Sequence, residues 1–277
     1  QIGVGDANTQ TNSGEEAEMG RAAWIGQLKY NYDNKYYAEG SIRYDGSDRF
    51  APGKRWGAFF SGSLGWVVTA EEFMQDLVER NILNSLKLRA SYGETGIDGS
   101  TTKEISRYAY MTSYSYNPYA YVMNGQYYPG FTEGALASPD LTWYTTKQLD
   151  FGFDFASLNS RLYGSFDYFY YSTKGYLVAP KGESYINTAL GVGLPRIASD
   201  SEHRRAGIEV QLGWRDNIGD LKYDIAGNFT VYNTIWALDE SESESSRLNP
   251  YHRSQQVKQN FYGNLYKGSF LWVHSCF

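Results

Sequence analysis

Sulfur chemistry is almost absent from this chain. Its one cysteine, Cys276, cannot close an internal disulfide, and no Cys/His cluster has the spacing of a zinc site. No run approaches the roughly 20 apolar residues that a membrane-spanning helix needs, which excludes a helical membrane protein. A basic surface is missing too: the formal charge of the 277 residues is -6, so nucleic acid is not the expected partner. Histidine occurs three times, at His203, His252 and His274, in or near expected loops and with no spacing that suggests a metal site or a catalytic triad. No cofactor or metal is expected, and the chain is read as a non-enzyme. The sequence opens at Gln1 without a basic n-region or an apolar h-region. Either a targeting segment has been removed or this is an internal piece of something longer. Residues 1–20 read as a loop.

What is abundant is Tyr (26 residues), Gly (29 residues) and aromatic side chains in general, at 17% of the chain. That pairing favours β-structure punctuated by turns. Period-two patterning confirms the choice. Leu86-Lys87-Leu88-Arg89-Ala90-Ser91-Tyr92, Leu149-Asp150-Phe151-Gly152-Phe153-Asp154-Phe155 and Ile208-Glu209-Val210-Gln211-Leu212 each put apolar groups on one face and polar groups on the other. About eight strands are expected, near 24–32, 36–46, 56–68, 86–95, 142–156, 161–173, 204–215 and 221–234. Short connections at 33–35, 158–160 and 217–220 alternate with long ones at 96–141, 174–203 and from 235 onward. Ala70-Glu71-Glu72-Phe73-Met74 is expected to add a helical turn within 69–85.

Alternating strands suit a soluble sandwich, with apolar faces pressed together, or a membrane barrel, with apolar faces in lipid. Strands of ten or more residues and turns that are short at one end and long at the other favour the barrel. Tryptophans at strand ends do so as well. Trp24, Trp56, Trp66, Trp143 and Trp214 all fall on the apolar parity, where an indole can contact lipid while its N–H reaches the headgroups. Trp236 breaks that parity and is expected in a loop.

Several ordered motifs carry a resemblance. Tyr36-Tyr37-Ala38-Glu39-Gly40-Ser41-Ile42-Arg43-Tyr44-Asp45-Gly46-Ser47-Asp48-Arg49-Phe50 is followed by Arg55-Trp56-Gly57, Ser63-Leu64-Gly65-Trp66 and Glu71-Glu72-Phe73-Met74. Then come Leu86 to Gly96, Leu141-Thr142-Trp143, Thr146-Lys147-Gln148-Leu149-Asp150-Phe151-Gly152 and Arg205-Ala206-Gly207-Ile208-Glu209. Together these resemble the SusC/RagA family of TonB-dependent outer-membrane transporters over roughly residues 20–270. Tyr144 stands where the family commonly has Glu. No TonB box or plug domain is recognised, and the tail 271–277 does not resemble the family's continuation.

The resemblance implies an all-β fold, a partial antiparallel transmembrane barrel with about eight of 22 strands, occupying 1–277 in the cell outer membrane. It implies import of oligosaccharides or peptides, with a SusD-like surface lipoprotein at the mouth. TonB with ExbB and ExbD would act through a plug not recognised here, and outer-membrane lipid would surround the wall. Lys87, Arg89, Asp150, Asp154, Glu209 and Gln211 are then expected to face the plug or lumen. In the 96–141 loop, Tyr110, Tyr114, Tyr116, Tyr119 and Tyr121 are candidate ligand contacts, because flat rings stack on sugars and hydroxyls bond sugar hydroxyls; packing against a protein lid uses the same residues. Other signals read as bland: His203-Arg204-Arg205 as a solvated strand start, Gly191-Val192-Gly193 without a phosphate-binding context, Asn228-Phe229-Thr230 as a coincidental glycosylation pattern, Asp239 to Ser246 as a charged loop more than a calcium site, and Asp45-Gly46-Ser47-Asp48 as a hairpin tip. A small self-contained barrel or β-sandwich serving as an adhesin or carbohydrate-binding module is the competing reading. An outer-membrane hydrolase lacks a Ser/His/acid set.

Overall fold

β-branched and aromatic residues alternating with polar ones produce strands here because each pleat sends successive side chains to opposite faces. The computed structural model describes residues 18–99, 108–134, 136–178, 197–198, 200–240, 242–252, 254–256, 258 and 268–273. The strands are β1 (Arg21–Tyr32), β2 (Tyr36–Ser47), β3 (Trp56–Val67), β4 (Leu83–Ile97), β5 (Tyr114–Met123), β6 (Gln126–Glu133), β7 (Tyr144–Ser157), β8 (Leu162–Lys174), β9 (Leu177–Val178), β10 (Ile197–Ala198), β11 (Glu202–Ile218), β12 (Leu221–Leu238) and β13 (Gly268–Val273). Nine of them form one antiparallel sheet in the order β1-β2-β3-β4-β7-β8-β11-β12-β13. All eight expected strands belong to it. Among the described residues no helix is long and apolar enough to cross a membrane.

This sheet is a single open layer. Among the described residues no second sheet packs on its apolar face; Trp24, Leu28, Phe60, Leu64, Phe151, Leu212 and Ile225 of that face are exposed, while Ala206, Val231 and Ile235, toward the wide end of β11 and β12, are buried. The sandwich alternative needs that face covered, so it is not the fold. Register makes the face continuous. Trp24 lies beside Tyr44, Tyr44 beside Ala58, Leu64 beside Ala90, Ala90 beside Phe151, Phe151 beside Tyr168 and Tyr168 beside Ile208.

Turn chemistry explains the narrow end. Asp33 and Asn34 adopt positive φ between β1 and β2; Leu158, Asn159 and Ser160 do so between β7 and β8; Gly219 does so before β12. Asn, Asp and Gly tolerate this left-handed region, which tight reversals require. The β3–β4 connection at the same end is longer. It holds the expected helical segment as two 3-10 turns, Val68–Ala70 and Glu72–Met74, and helix α1 (Gln75–Glu79).

Four expectations are corrected. Residues 96–141 are not only loop, because β5 and β6 pair within them as a separate hairpin. Trp236 is in β12, not a loop, and sits across from His203 on the inward face. The stretch from 235 onward is not only loop, because Gly268–Val273 pairs with β12 from Ala226 to Val231. Asp45 to Ser47 complete β2, and the reversal starts at Asp48. The pattern Gly191-Val192-Gly193, His274, Cys276 and most of 1–20 lie outside the described residues.

One carboxylate fastens the narrow end. Glu71 accepts from the Tyr36 hydroxyl at 2.6 Å and from the Trp66 indole N–H at 3.1 Å, and lies 3.6 Å from Lys35. Tyr36 and Trp66 stack 6.3 Å apart. The Tyr36 hydroxyl first, then the Trp66 N–H and Lys35, hold the Glu71 carboxyl below its ordinary pKa. A lowered folded-state pKa gives stability that is complete above the ordinary carboxylate range and disappears as pH falls through the lowered value. Glu71→Gln in the complete barrel should therefore lower the thermal unfolding midpoint at neutral pH. The gap to the unsubstituted protein should close on acidification below the carboxylate range, as read by tryptophan fluorescence across a pH series.

Candidate functional site

Alternation that turns Leu88, Ala90 and Phe151 outward turns Lys87, Arg89, Ser91, Asp150 and Asp154 inward. Arg89 donates from Nη2 to Asp154 at 3.0 Å and to Asp167 at 3.2 Å, linking β4, β7 and β8. Asp150 accepts from Gln148 at 2.8 Å and from Ser91 at 3.4 Å. The Lys87 ammonium lies 5.1 Å from the Tyr37 ring centroid, a cation–π contact. Glu209 is paired across the sheet with Asp167, and Gln211 with Ser165 and Asn228, on the same face. All six residues expected to face inward thus share one wall. A hollow of about 530 Å³ is lined by Lys29, Glu39, Lys87, Arg89, Asp150 and Asp167 among others.

Arg89 spans two strands because its neighbour on β7 is Gly152. A Cβ there would stand 2.0 Å from Asp167 Oδ1 and 2.7 Å from the Phe166 carbonyl oxygen. The missing side chain is what lets Asp167 lean back toward Arg89. The sequence pattern did not single out Asp167, since the run Phe166-Asp167-Tyr168-Phe169-Tyr170-Tyr171 is aromatic on both parities; its polar parity was the available signal. Glu71 was likewise noticed only as part of a motif.

At the girdles, Trp56 and Trp66 lie on the outward face of β3, about 33 Å apart along the strand. A tilt of about 40° reduces that to ~25 Å of height, the thickness of the apolar band of an outer-membrane barrel. Trp24 and Trp214 share that face. Trp143 does not. It precedes β7, packs 5.4 Å from Phe50 and 5.6 Å from the inward Phe59, and donates its N–H to the Arg55 carbonyl at 2.9 Å. With Phe50 and Leu141, both buried, it forms a small apolar plug that ties residues 48–55 to 138–143 at the wide end. Lacking the alternation of a strand, its indole went where more apolar area could be covered.

The tyrosines are separated by the hairpin. β5 and β6 meet at Asn124-Gly125, both at positive φ, the residues a two-residue reversal demands. Tyr114 is opposite Glu133 and Tyr116 opposite Phe131, and an irregularity between Asn117 and Tyr121 breaks the parity. Tyr119 thereby meets Tyr127 at 5.3 Å, while Tyr116 meets Phe131 at 5.7 Å, both edge to face. By register, Tyr116, Phe131 and Tyr127 lie on one side of the ribbon. Tyr121 is paired with Tyr128 on the other side, its ring over Gly130. Tyr110 is not on the hairpin; it contacts Tyr108 at 6.3 Å. Elsewhere, Ser243 caps helix α2 (Glu244–Leu248) by accepting from the Ser246 N–H, and among the described residues no three His, Cys, Asp or Glu side chains converge as metal ligands.

Two substitutions test the inward network. Gly152→Ala should destabilise the complete barrel by about 1–3 kcal/mol, because backbone and carboxylate must both move. Arg89→Gln should cost about 1 kcal/mol or less, since the pair is half-exposed. Unfolding midpoints in detergent would rank them, and the reverse order would refute the role given to Gly152.

Comparison with known proteins agrees with this geometry. The family model described as TonB dependent receptor-like, beta-barrel matches residues 3–269. TonB-dependent receptor P3 of Formosa agariphila is 29% identical, with 96% of this chain and 26% of that protein aligned. TonB-dependent receptor SusC of Bacteroides thetaiotaomicron is 29% identical over 79% of this chain and 21% of its own length. Among solved structures, the RagAB peptide importer superposes with a TM-score of 0.69 in its closed-closed state and 0.67 in its open-open state, at 21% identity in both, covering 88% and 86% of this chain and 26% and 25% of that one. The chain spans about a quarter of the length of these relatives. With one face for lipid, one for a polar interior, and a matching family model over nearly its whole length, the chain belongs to the TonB-dependent receptor β-barrel family, proteins of the bacterial outer membrane.

Proposed function

We propose that this chain is part of the wall and outer mouth of an importer for oligosaccharides. A SusD-like surface lipoprotein closes the mouth, and TonB with ExbB and ExbD drives transport through a plug. The observation that carries the cargo class is the β5–β6 hairpin, where Tyr114, Tyr116, Tyr119, Tyr127 and Phe131 are exposed beside the amide of Asn117. Rigid rings with hydroxyl tips, held edge to face, offer apolar planes and hydrogen-bonding groups at little entropic cost, which suits the alternating apolar and hydroxyl surfaces of a sugar. The inward wall adds both charges and amides along the route. Its role is passage rather than catalysis: charged side chains there are engaged with one another across strands.

The test is the variant Tyr114→Ala/Tyr116→Ala/Tyr119→Ala in the full-length transporter. Three lost stacking contacts should weaken oligosaccharide binding about tenfold or more, measured by calorimetry. Unchanged affinity removes the sugar reading. Loss of peptide binding with sugar binding absent throughout transfers the cargo to peptides, the substrate class of the RagAB importer.

A further inference from the structure

Cations on the inward wall divide by what holds them. Arg21, Lys29, Arg43 and Arg89 each stand beside a carboxylate: Asp98 at 2.5 Å, Glu39 at 3.5 Å, Asp45 at 2.7 Å and Asp154 at 2.8 Å. Lys87, Arg205 and Arg215 rest instead on the rings of Tyr37, Tyr232 and Tyr163, with no ion pair among the described residues.

Register separates Arg205 from the other two. Lys87 is opposite Asp154 and Arg215 opposite Asp224, so each has a carboxylate as a cross-strand neighbour. The cross-strand neighbours of Arg205 are Tyr171 and Thr234. Glu209 on the same face of β11, with Asp167 across from it, comes four residues further along, roughly 13 Å away. Arg205 is exposed and has no counter-charge of its own, yet it is not loose. Its Nε donates to the Thr234 hydroxyl at 3.2 Å, and its guanidinium carbon lies 5.2 Å from the Tyr232 ring centroid. These two contacts fix its direction and leave the terminal Nη groups for a ligand. A planar fork of that kind matches an oxygen pair of a carboxylate or a sulfate.

What surrounds the fork suits a sugar ring. Tyr232, Thr234 and Trp236 follow one another on the inward parity of β12, so Arg205 is diagonal to both rings. Trp236 contacts His203 at 5.0 Å and Tyr176 edge to face at 5.3 Å, and its indole is still 44% exposed. Diagonal neighbours are about 7–8 Å apart, within reach of one sugar that lies on the indole and sends its acidic group to the guanidinium. Arg205 is roughly 30 Å along β11 from Trp214, or ~23 Å in height at a tilt of about 40°, which puts the group at the mouth end of the interior.

We propose that Arg205 and Trp236 form a specificity subsite for an acidic sugar. The guanidinium takes the carboxylate or sulfate, and the indole stacks on the ring that bears it. Thr234, Tyr232 and His203 are positioning residues that hold these two in place. The subsite rests on the oligosaccharide reading above and narrows it to anionic oligosaccharides. It is distinct from the tyrosine hairpin, whose strands carry no Lys or Arg and so offer rings without a cation.

The experiment uses the full-length transporter and calorimetry at low salt. The probes are oligomers of β-1,4-linked glucuronic acid, the same oligomers carboxyl-reduced to glucose, and a sulfated galactan oligomer with its desulfated form. At least one acidic probe should bind the unsubstituted protein on the order of tenfold to a hundredfold more tightly than its neutral counterpart, the range of a charge-assisted hydrogen-bonded pair. The probe that shows the preference identifies the group as carboxylate or sulfate. Arg205→Gln should bring the ratio of acidic to neutral affinity to about one, and Arg205→Lys should retain part of it, as a point charge without the fork. Trp236→Ala should weaken both members of a pair and keep their ratio. Equal binding of acidic and neutral probes, a ratio that survives Arg205→Gln, or unchanged affinity after Trp236→Ala each overturns the subsite. Heat-modifiable migration reports folding, and if Arg205→Gln fails it, Arg205→Lys must still lower the ratio severalfold. Neutral probes that bind without any acidic preference remove the subsite alone, whereas binding of no sugar at all removes the oligosaccharide reading with it.

Discussion

Hydrocarbon offers no partner to a backbone N–H or C=O, and the rest of this structure depends on that fact. A ribbon in lipid must satisfy its backbone from neighbouring ribbons, which forces an antiparallel sheet whose strands run across the whole membrane. Once the backbone is committed in this way, side chains have two directions available. Apolar ones go toward lipid, so polar ones must go inward, where Arg89, Asp154 and Asp167 answer one another's charge across three strands. The absence of a conventional core follows. Among the described residues buried apolar side chains are few and scattered: Phe50 and Leu141 form one small cluster where loops fold back at the wide end, and Phe169, Ala206, Val231 and Ile235 are buried along β8, β11 and β12.

The two ends of the sheet solve different problems. At the narrow end, reversals are short, and Glu71 converts two girdle aromatics and a turn lysine into one hydrogen-bonded cluster. Trp66 then meets the interface with its N–H already satisfied by protein. At the wide end the chain spends its length on excursions. One of them carries its own hairpin of exposed rings, and the strands beneath extend beyond the apolar band, reaching 17 residues in β11 and 18 in β12. The added length is where outward charge reappears. Membership of the TonB-dependent receptor barrel family accounts for a wall of long membrane-crossing strands with short reversals at one end and long excursions at the other.

Strand existence was legible wherever polarity alternated cleanly, as in Leu86 to Tyr92 and Leu149 to Phe155, and so was the common face of Lys87, Arg89, Asp150, Asp154, Glu209 and Gln211. It was obscured where both parities are aromatic. Asp167 escaped notice for that reason, and so did the hairpin, since Tyr114 to Phe131 has no polar face to count. Trp236 was misplaced because an inward tryptophan contradicts a simple polar-in rule; it packs 5.0 Å from His203, which gives it an aromatic neighbour inside.

The sequence by itself determined which way side chains point within cleanly alternating strands, because a period of two is a property of one strand and needs no neighbour. It determined the reversals as well, through Asn, Asp and Gly at positions requiring positive φ. Tertiary structure alone decided who meets whom. Arg89 reaches Asp167 because register sets Gly152 between them, and Trp143 leaves the lipid face because it stands one residue before its strand, free to follow Phe50. Cross-strand partners depend on how ribbons far apart in the chain slide against one another, and that displacement is fixed by the summed pairing of whole strands rather than by any local run of residues.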